Sequence, residues 1–231
     1  MERNNITSSY DEDGDPAPDV RIAFTNFFGT LIQTTVTSRP EIIHQWIYHH
    51  WQVYGEHYGN RLIVGVGVQW RPSNQRRAHT LQLCIDTRCL LIQLSHTPRI
   101  PQVLHWFLGD RNIHFVGIRN DSDYRRLLNN EHVLSVPNLI NVSDYFDHSE
   151  SSLRDLARLV LGVDGVRRDT LVERSDWSAR DLTIDQVQYA VVDAYVSFQV
   201  GRAINIWRVH NYWYMCGWRV QHYWYVCFLW V

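Results

Sequence analysis

The chain has 231 residues, 45% of them hydrophobic and 20% charged, and a formal net charge of -2. That length and apolar content suit one well-filled domain with tails. The near-neutral balance excludes a global attraction to polyanions, so any nucleic-acid binding requires a local basic surface. All 22 basic residues are arginine, a bias we attribute to the nucleotide composition of the gene rather than to phosphate recognition.

The first twenty residues hold Asp11, Glu12, Asp13 and Asp15, two prolines and no apolar stretch. They predict a disordered acidic tail (1–20) with no secretory signal. Arg21 to Thr37 alternates around Gly29-Thr30 as a β-hairpin. Pro40 opens a helix to about Tyr54. Strands follow at Arg61 to Trp70, Thr80 to Ile85 and Arg88 to Leu94, the last two joined by an Asp86-Thr87 turn. The four cysteines, at 84, 89, 216 and 227, have neither metal-ligand spacing nor the density of a secreted scaffold. Cys84 and Cys89 read as small core residues, a disulfide across the turn being the lesser reading. An intracellular setting, nuclear or cytoplasmic, is expected. Helix and strand then alternate through Ile100 to Leu108, Ile113 to Ile118 and Ser122 to Asn130. A helix from Ser149 stops at Gly162, Val163 to Leu182 is irregular, and a long helix starts at Thr183 with Gln186 completing a capping box. The expected architecture is α/β, a mixed sheet of about five to six strands flanked by helices.

Four segments carry the chemistry: Val64-Gly-Val-Gly-Val-Gln-Trp-Arg-Pro72; Leu81 to Ile85 with Arg88 to Leu94; Phe115 to Ile118 with Asp123 to Leu127; and Gln188-Tyr-Ala-Val-Val-Asp-Ala-Tyr-Val-Ser197. In this order they resemble the plant branch of the Werner syndrome-like 3′-5′ exonucleases, within the RNase D-like, DEDDy group of the RNase H-like superfamily. The resemblance covers roughly residues 21–206, taken as one exonuclease-like domain. It implies an RNase H-like fold and hydrolysis of phosphodiester bonds by two divalent ions, Mg²⁺ or Mn²⁺, about 4 Å apart. The family holds them with an Asp-x-Glu pair on the first motif strand and one Asp in each of the next two motifs. A Tyr four residues before the last Asp orients water.

Here the pair is replaced by Gly67 and Gln69. Gln69 keeps a neutral carbonyl oxygen, whereas Gly67 offers no ligand. Asp123 matches the second motif by its spacing to Leu127, with Asp121 as an alternative ligand. Tyr189 and Asp193 match the third, one turn apart on a helix. Two carboxylates instead of four leave the ions weakly held or lost, so hydrolysis is expected to be impaired. Arginines at 71, 76, 77, 125, 126, 167 and 168 are candidates for phosphate contacts, and Trp70 and Trp177 for base stacking. The loop carrying Trp70, Arg71, Arg76 and Arg77 is favoured. The expected partner is a single strand or the 3′ end of a duplex, DNA or RNA. Two alternatives stand beside this one: a working metal-dependent exonuclease, and a protein-interaction scaffold that ignores nucleic acid.

From Trp207 the resemblance ends. WRVHNYWYMCG (207–217) is followed by WRVQHYWYVCF (218–228), identical at seven of eleven positions, and five of the ten tryptophans fall in this tail (207–231). Arg208, His210, Arg219 and His222 interrupt it, so it does not read as a transmembrane span. It reads as an extension packed on the domain, a segment for a protein partner, or the product of a misplaced gene end.

Overall fold

Alternation along Val20–Phe27 (β2) and Thr30–Thr37 (β3) builds the expected antiparallel hairpin, which turns at Phe28 and Gly29, both at positive φ. The structure is a computed structural model and describes residues 5–11, 19–58, 61–71, 77–146 and 152–206. Helix α1 (Pro40–Tyr58) leads into β4 (Ile63–Gln69), and an antiparallel meander continues through β5 (Thr80–Ile85) and β6 (Arg88–Gln93). Then come α2 (Gln102–Gly109), β7 (His114–Gly117), α3 (Asp123–Leu128), β8 (Leu139–Asn141), α4 (Leu153–Leu161), α5 (Thr170–Glu173) and α6 (Ile184–Ala203).

The sheet has eight strands rather than five or six, in the order β1-β2-β3-β6-β5-β4-β7-β8. The two unforeseen strands lie at its edges. β1 (Ile6–Tyr10) falls inside the segment expected to be disordered. It pairs with β2, Ser8 bonds Thr25, and the Tyr10 hydroxyl donates to the Leu182 carbonyl at 2.7 Å. The short alternation of Ile6, Ser8 and Tyr10 thus outweighs the acidic composition that follows it. A second correction concerns Cys84 and Cys89. The turn fixes a register in which they face each other, Cα to Cα 4.2 Å, and they form a disulfide.

The strict period of a strand divides β4 between two cores. Val64, Val66 and Val68 pack with Leu81, Leu83, Leu90 and Ile92 beneath α1 and α2. On the opposite face stand Ile63, Gly65, Gly67 and Gln69, covered by α6. A Cβ on Gly65 would lie 2.0 Å from the Ala194 carbonyl oxygen and 2.8 Å from Phe198, so only glycine lets the helix lie this close to the strand. The capping box at Thr183 and Gln186 forms as expected, and the Gln186 amide also ties down Ser175 and Asp176. Among the described residues no helix is long and apolar enough to cross a membrane. Arg76 and the repeat at 207–231 lie outside the described residues.

Candidate active site

β4 and β7 are parallel neighbours, so their C-terminal ends meet at one edge of the sheet. α6 lies over β4 in the opposite sense, with Ala194 above Gly65, Ala190 above Gly67 and Asp193 touching Gln69. α3 begins six residues after β7 ends and brings Asp123 to the same edge. The candidate residues of all three motifs therefore converge where sheets of this type place ligands.

Asp193 Oδ2 accepts hydrogen bonds from Gln69 Nε2 and from Arg168 Nη2, each at 3.1 Å. Arg168 Nε donates to the Tyr189 hydroxyl at 2.6 Å. Tyr189 is further held by a tilted contact with Trp177. Beside them, Asp123 stands 3.7 Å from Arg126. The Arg126 guanidinium lies 3.5 Å from the centre of the Trp70 ring and also bonds Ser122. Each of the two motif carboxylates thus has its own arginine.

Burial governs the protonation of this cluster. It raises Asp123 to about 8, Arg126 offsetting only part of the shift and Asp193 adding to it. Asp193 is also raised, mainly by burial and against the pull of Arg168 and Gln69. Burial likewise raises the Tyr189 hydroxyl, helped by Asp193. For Arg168, desolvation lowers the value, but Asp193, Tyr189 and Glu173 together outweigh it and hold the guanidinium charged.

A folded pKa near 8 for Asp123, against about 3.9 in an unfolded chain, means that the folded state holds the proton more tightly. The stability this contributes is complete below the unfolded value and is lost as pH rises through the folded one. Between about pH 5 and about pH 9 the melting temperature should therefore fall more steeply for the parent than for Asp123→Asn. Parallel profiles in a calorimetric pH series would remove the assignment.

The donor set does not suit a pair of divalent ions. Among the described residues no three His, Cys, Asp or Glu side chains are placed to share a metal. Gly67 supplies no ligand, and the space a side chain would enter is filled by Gln82, whose Oε1 lies 2.7 Å from the Cβ position. That oxygen is buried without a hydrogen-bond partner, while Gln82 Nε2 donates to Thr80. Gln69 presents its amide nitrogen, not its oxygen, to Asp193.

The other sequence candidates are placed as follows. Asp121 is exposed and bonds Asn141, whereas Asp123 is buried beside Arg126. Trp70 is half-buried and one of its faces is taken by Arg126; Arg71 is exposed and pairs with Asp176 at 3.5 Å. Arg77 is exposed. Trp177 is 1% exposed and cannot stack on a base; it packs beneath Tyr189. The sequence marks Arg168 only as one of seven candidate phosphate-contacting arginines and gives no sign of its pairing with Asp193 and Tyr189, nor by itself of the place of Gln82. The signal for Gln82 was a polar residue on the same face as Gly67 in the neighbouring strand, which its register now shows.

The chain matches the model of a 3′-5′ exonuclease family over residues 69–205, more than half its length. It is 29% identical over 143 residues to the bifunctional 3′-5′ exonuclease/ATP-dependent helicase WRN of Mus musculus, covering 58% of this chain and 10% of that protein. It is 26% identical over 151 residues to a 3′-5′ exonuclease of Arabidopsis thaliana, covering 61% and 52%. The chain therefore spans from a tenth to about half the length of these curated relatives. Its fold is similar to that of RNase D from Escherichia coli, with a TM-score of 0.59 at 18% identity over 79% of this chain and 46% of that one. It is also similar to NrnC from Brucella melitensis, with a TM-score of 0.51 at 18% identity over 68% and 77%.

Proposed function

Since the chain belongs to the family of 3′-5′ exonuclease domains, we propose that it binds the 3′ ends of nucleic-acid strands at the edge where β4 and β7 end, and that it hydrolyses them weakly or not at all. The observation that carries this reading is that both remaining motif carboxylates, Asp123 and Asp193, are engaged by arginines, while positions 67 and 69 are Gly and Gln. Where a two-ion nuclease has only acidic groups, this site sets two guanidinium groups against its two motif carboxylates, with Asp121 and Glu173 acting from farther out. Its affinity for anions rises as its affinity for cations falls. The Werner syndrome-like relatives are the best guide to substrate, a single strand or a recessed 3′ end.

The test is a binding and digestion assay on one 5′-labelled single strand. Anisotropy should report binding that weakens about tenfold or more between about 50 and about 200 mM salt, as expected when several phosphates are contacted. Arg71→Glu/Arg77→Glu should lower the affinity about fivefold or more, because both side chains are exposed beside the site and reversal adds repulsion. Gels run with Mg²⁺ or Mn²⁺ should show no shortening of the strand. Efficient metal-dependent trimming would instead make the chain a working exonuclease.

A further inference from the structure

Two divalent ions do not fit this donor set, yet the site is not without cations. Arg168 reaches Asp193 and Tyr189 from the segment preceding α5, and Arg126 reaches Asp123 from α3. The charge of Asp193 acts on Asp123, which also feels both guanidinium groups, so the two carboxylate–arginine pairs are electrostatically linked. Each guanidinium lies against one motif carboxylate, Arg168 at 3.1 Å and Arg126 at 3.7 Å.

We infer that Arg168, with Arg126 adding positive potential nearby, takes over the anion-binding role of the metal ions, so that this site captures the terminal phosphodiester of a strand without any divalent cation. The inference rests on the nucleic-acid-binding reading above. A guanidinium carries five N–H donors in a fixed plane. Arg168 uses two of them, Nε to Tyr189 and one on Nη2 to Asp193. These two bonds fix the plane of the group. They leave the edge formed by Nη1 and the second Nη2 hydrogen, which has the spacing of two non-bridging phosphate oxygens. The side chain is 39% exposed, so part of it is open to a ligand. Arg126 is only 13% exposed; it contributes positive potential at short range and holds Trp70 in place.

Asp193 then has a role opposite to that of a metal ligand. In a metal site its carboxylate assembles the cation that binds phosphate; here it competes with phosphate for Arg168 while keeping the guanidinium oriented. The two cases give opposite signs for one isosteric substitution. The measurement is the affinity of a short 5′-labelled oligothymidylate, with EDTA and then with Mg²⁺ or Mn²⁺ at matched ionic strength, for the parent, Asp193→Asn and Arg168→Gln. Expected are a parent affinity unchanged within about twofold by EDTA, binding tightened about threefold or more by Asp193→Asn, and binding weakened about tenfold or more by Arg168→Gln. Melting curves establish that each variant is folded. If Arg168→Gln does not fold, the EDTA comparison and Asp193→Asn still decide. Parent binding that needs Mg²⁺ or Mn²⁺ and is weakened by Asp193→Asn overturns the inference and leaves the nucleic-acid reading intact. Absence of binding in every condition overturns both.

Discussion

Gly67→Asp/Gln69→Glu should raise the metal-dependent release of nucleotides from a 5′-labelled strand about a hundredfold or more over the parent, some 2.7 kcal/mol of barrier. Both positions lie on the α6 face of β4, two residues apart, so new carboxylates would stand side by side. The backbone leaves room for them. The close contact of a Cβ at position 67 is with Gln82 Oε1 at 2.7 Å, the far end of a flexible side chain, and the Ala190 carbonyl lies at 3.6 Å. Gln82 Oε1 has no hydrogen bond to lose, so turning the side chain aside costs only the Nε2 bond to Thr80, about 1 kcal/mol.

The Gln69→Glu half acts through Asp193. Gln69 Nε2 now donates to Asp193 Oδ2; a glutamate in its place sets two carboxylates against each other and Arg168 alone cannot neutralise both. The double variant should accordingly be destabilised without metal and recover on adding Mn²⁺, its melting temperature rising with the ion concentration by mass action. The parent, whose carboxylates are already satisfied, should show almost no such shift. An equally active parent would show that Gly67 and Gln69 do not impair hydrolysis, and a folded double variant that neither binds Mn²⁺ nor cleaves would show that the impairment lies elsewhere.

How much of this site could be read from sequence depended on whether the determining contacts are local. Tyr189 and Asp193 share a helix face, and Thr183 with Gln186 sets where that helix starts; both follow from spacing. The paired strands at Thr80–Ile85 and Arg88–Gln93 were legible because their turn is short, although the same register that made them legible also joins Cys84 to Cys89. Asp123 and Asp121 could be separated by spacing to Leu127, and burial distinguishes them in the fold. What could not be read were contacts made across the chain. Arg168 is 25 residues from Asp193 and arrives through a segment with little regular structure, held in place by Gln93 and His96 bonding the carbonyls of Ser178, Ala179 and Arg180. No local pattern marks that closure. Trp177 looked like a stacking residue because exposure is a tertiary property. β1 was missed because its five residues adjoin an acidic stretch with the composition of a disordered tail.

The geometry of the site depends finally on Gly65. Gly65→Ala should cost about 3 kcal/mol or more, at the upper end for overpacking, and lower the melting temperature by roughly 6 to 12 °C for a chain of this size. The added methyl would lie 2.0 Å from the Ala194 carbonyl oxygen and 2.8 Å from the nitrogen and Cβ of Phe198. The nearest obstruction is backbone in the middle of a helix and cannot rotate away, unlike Gln82 at position 67. Relief requires α6 to lift from β4, which draws Asp193 away from Gln69 and Tyr189 away from Trp177. Stability and strand binding should therefore decline together. Gly109→Ala is the control, since a Cβ there meets nothing within 4 Å, and it should leave the melting temperature within a degree or two. If Gly65→Ala melted with this control, α6 would have to sit farther from β4 than described, and the contact between Gln69 and Asp193 on which the site's chemistry rests could not be made at 3.1 Å.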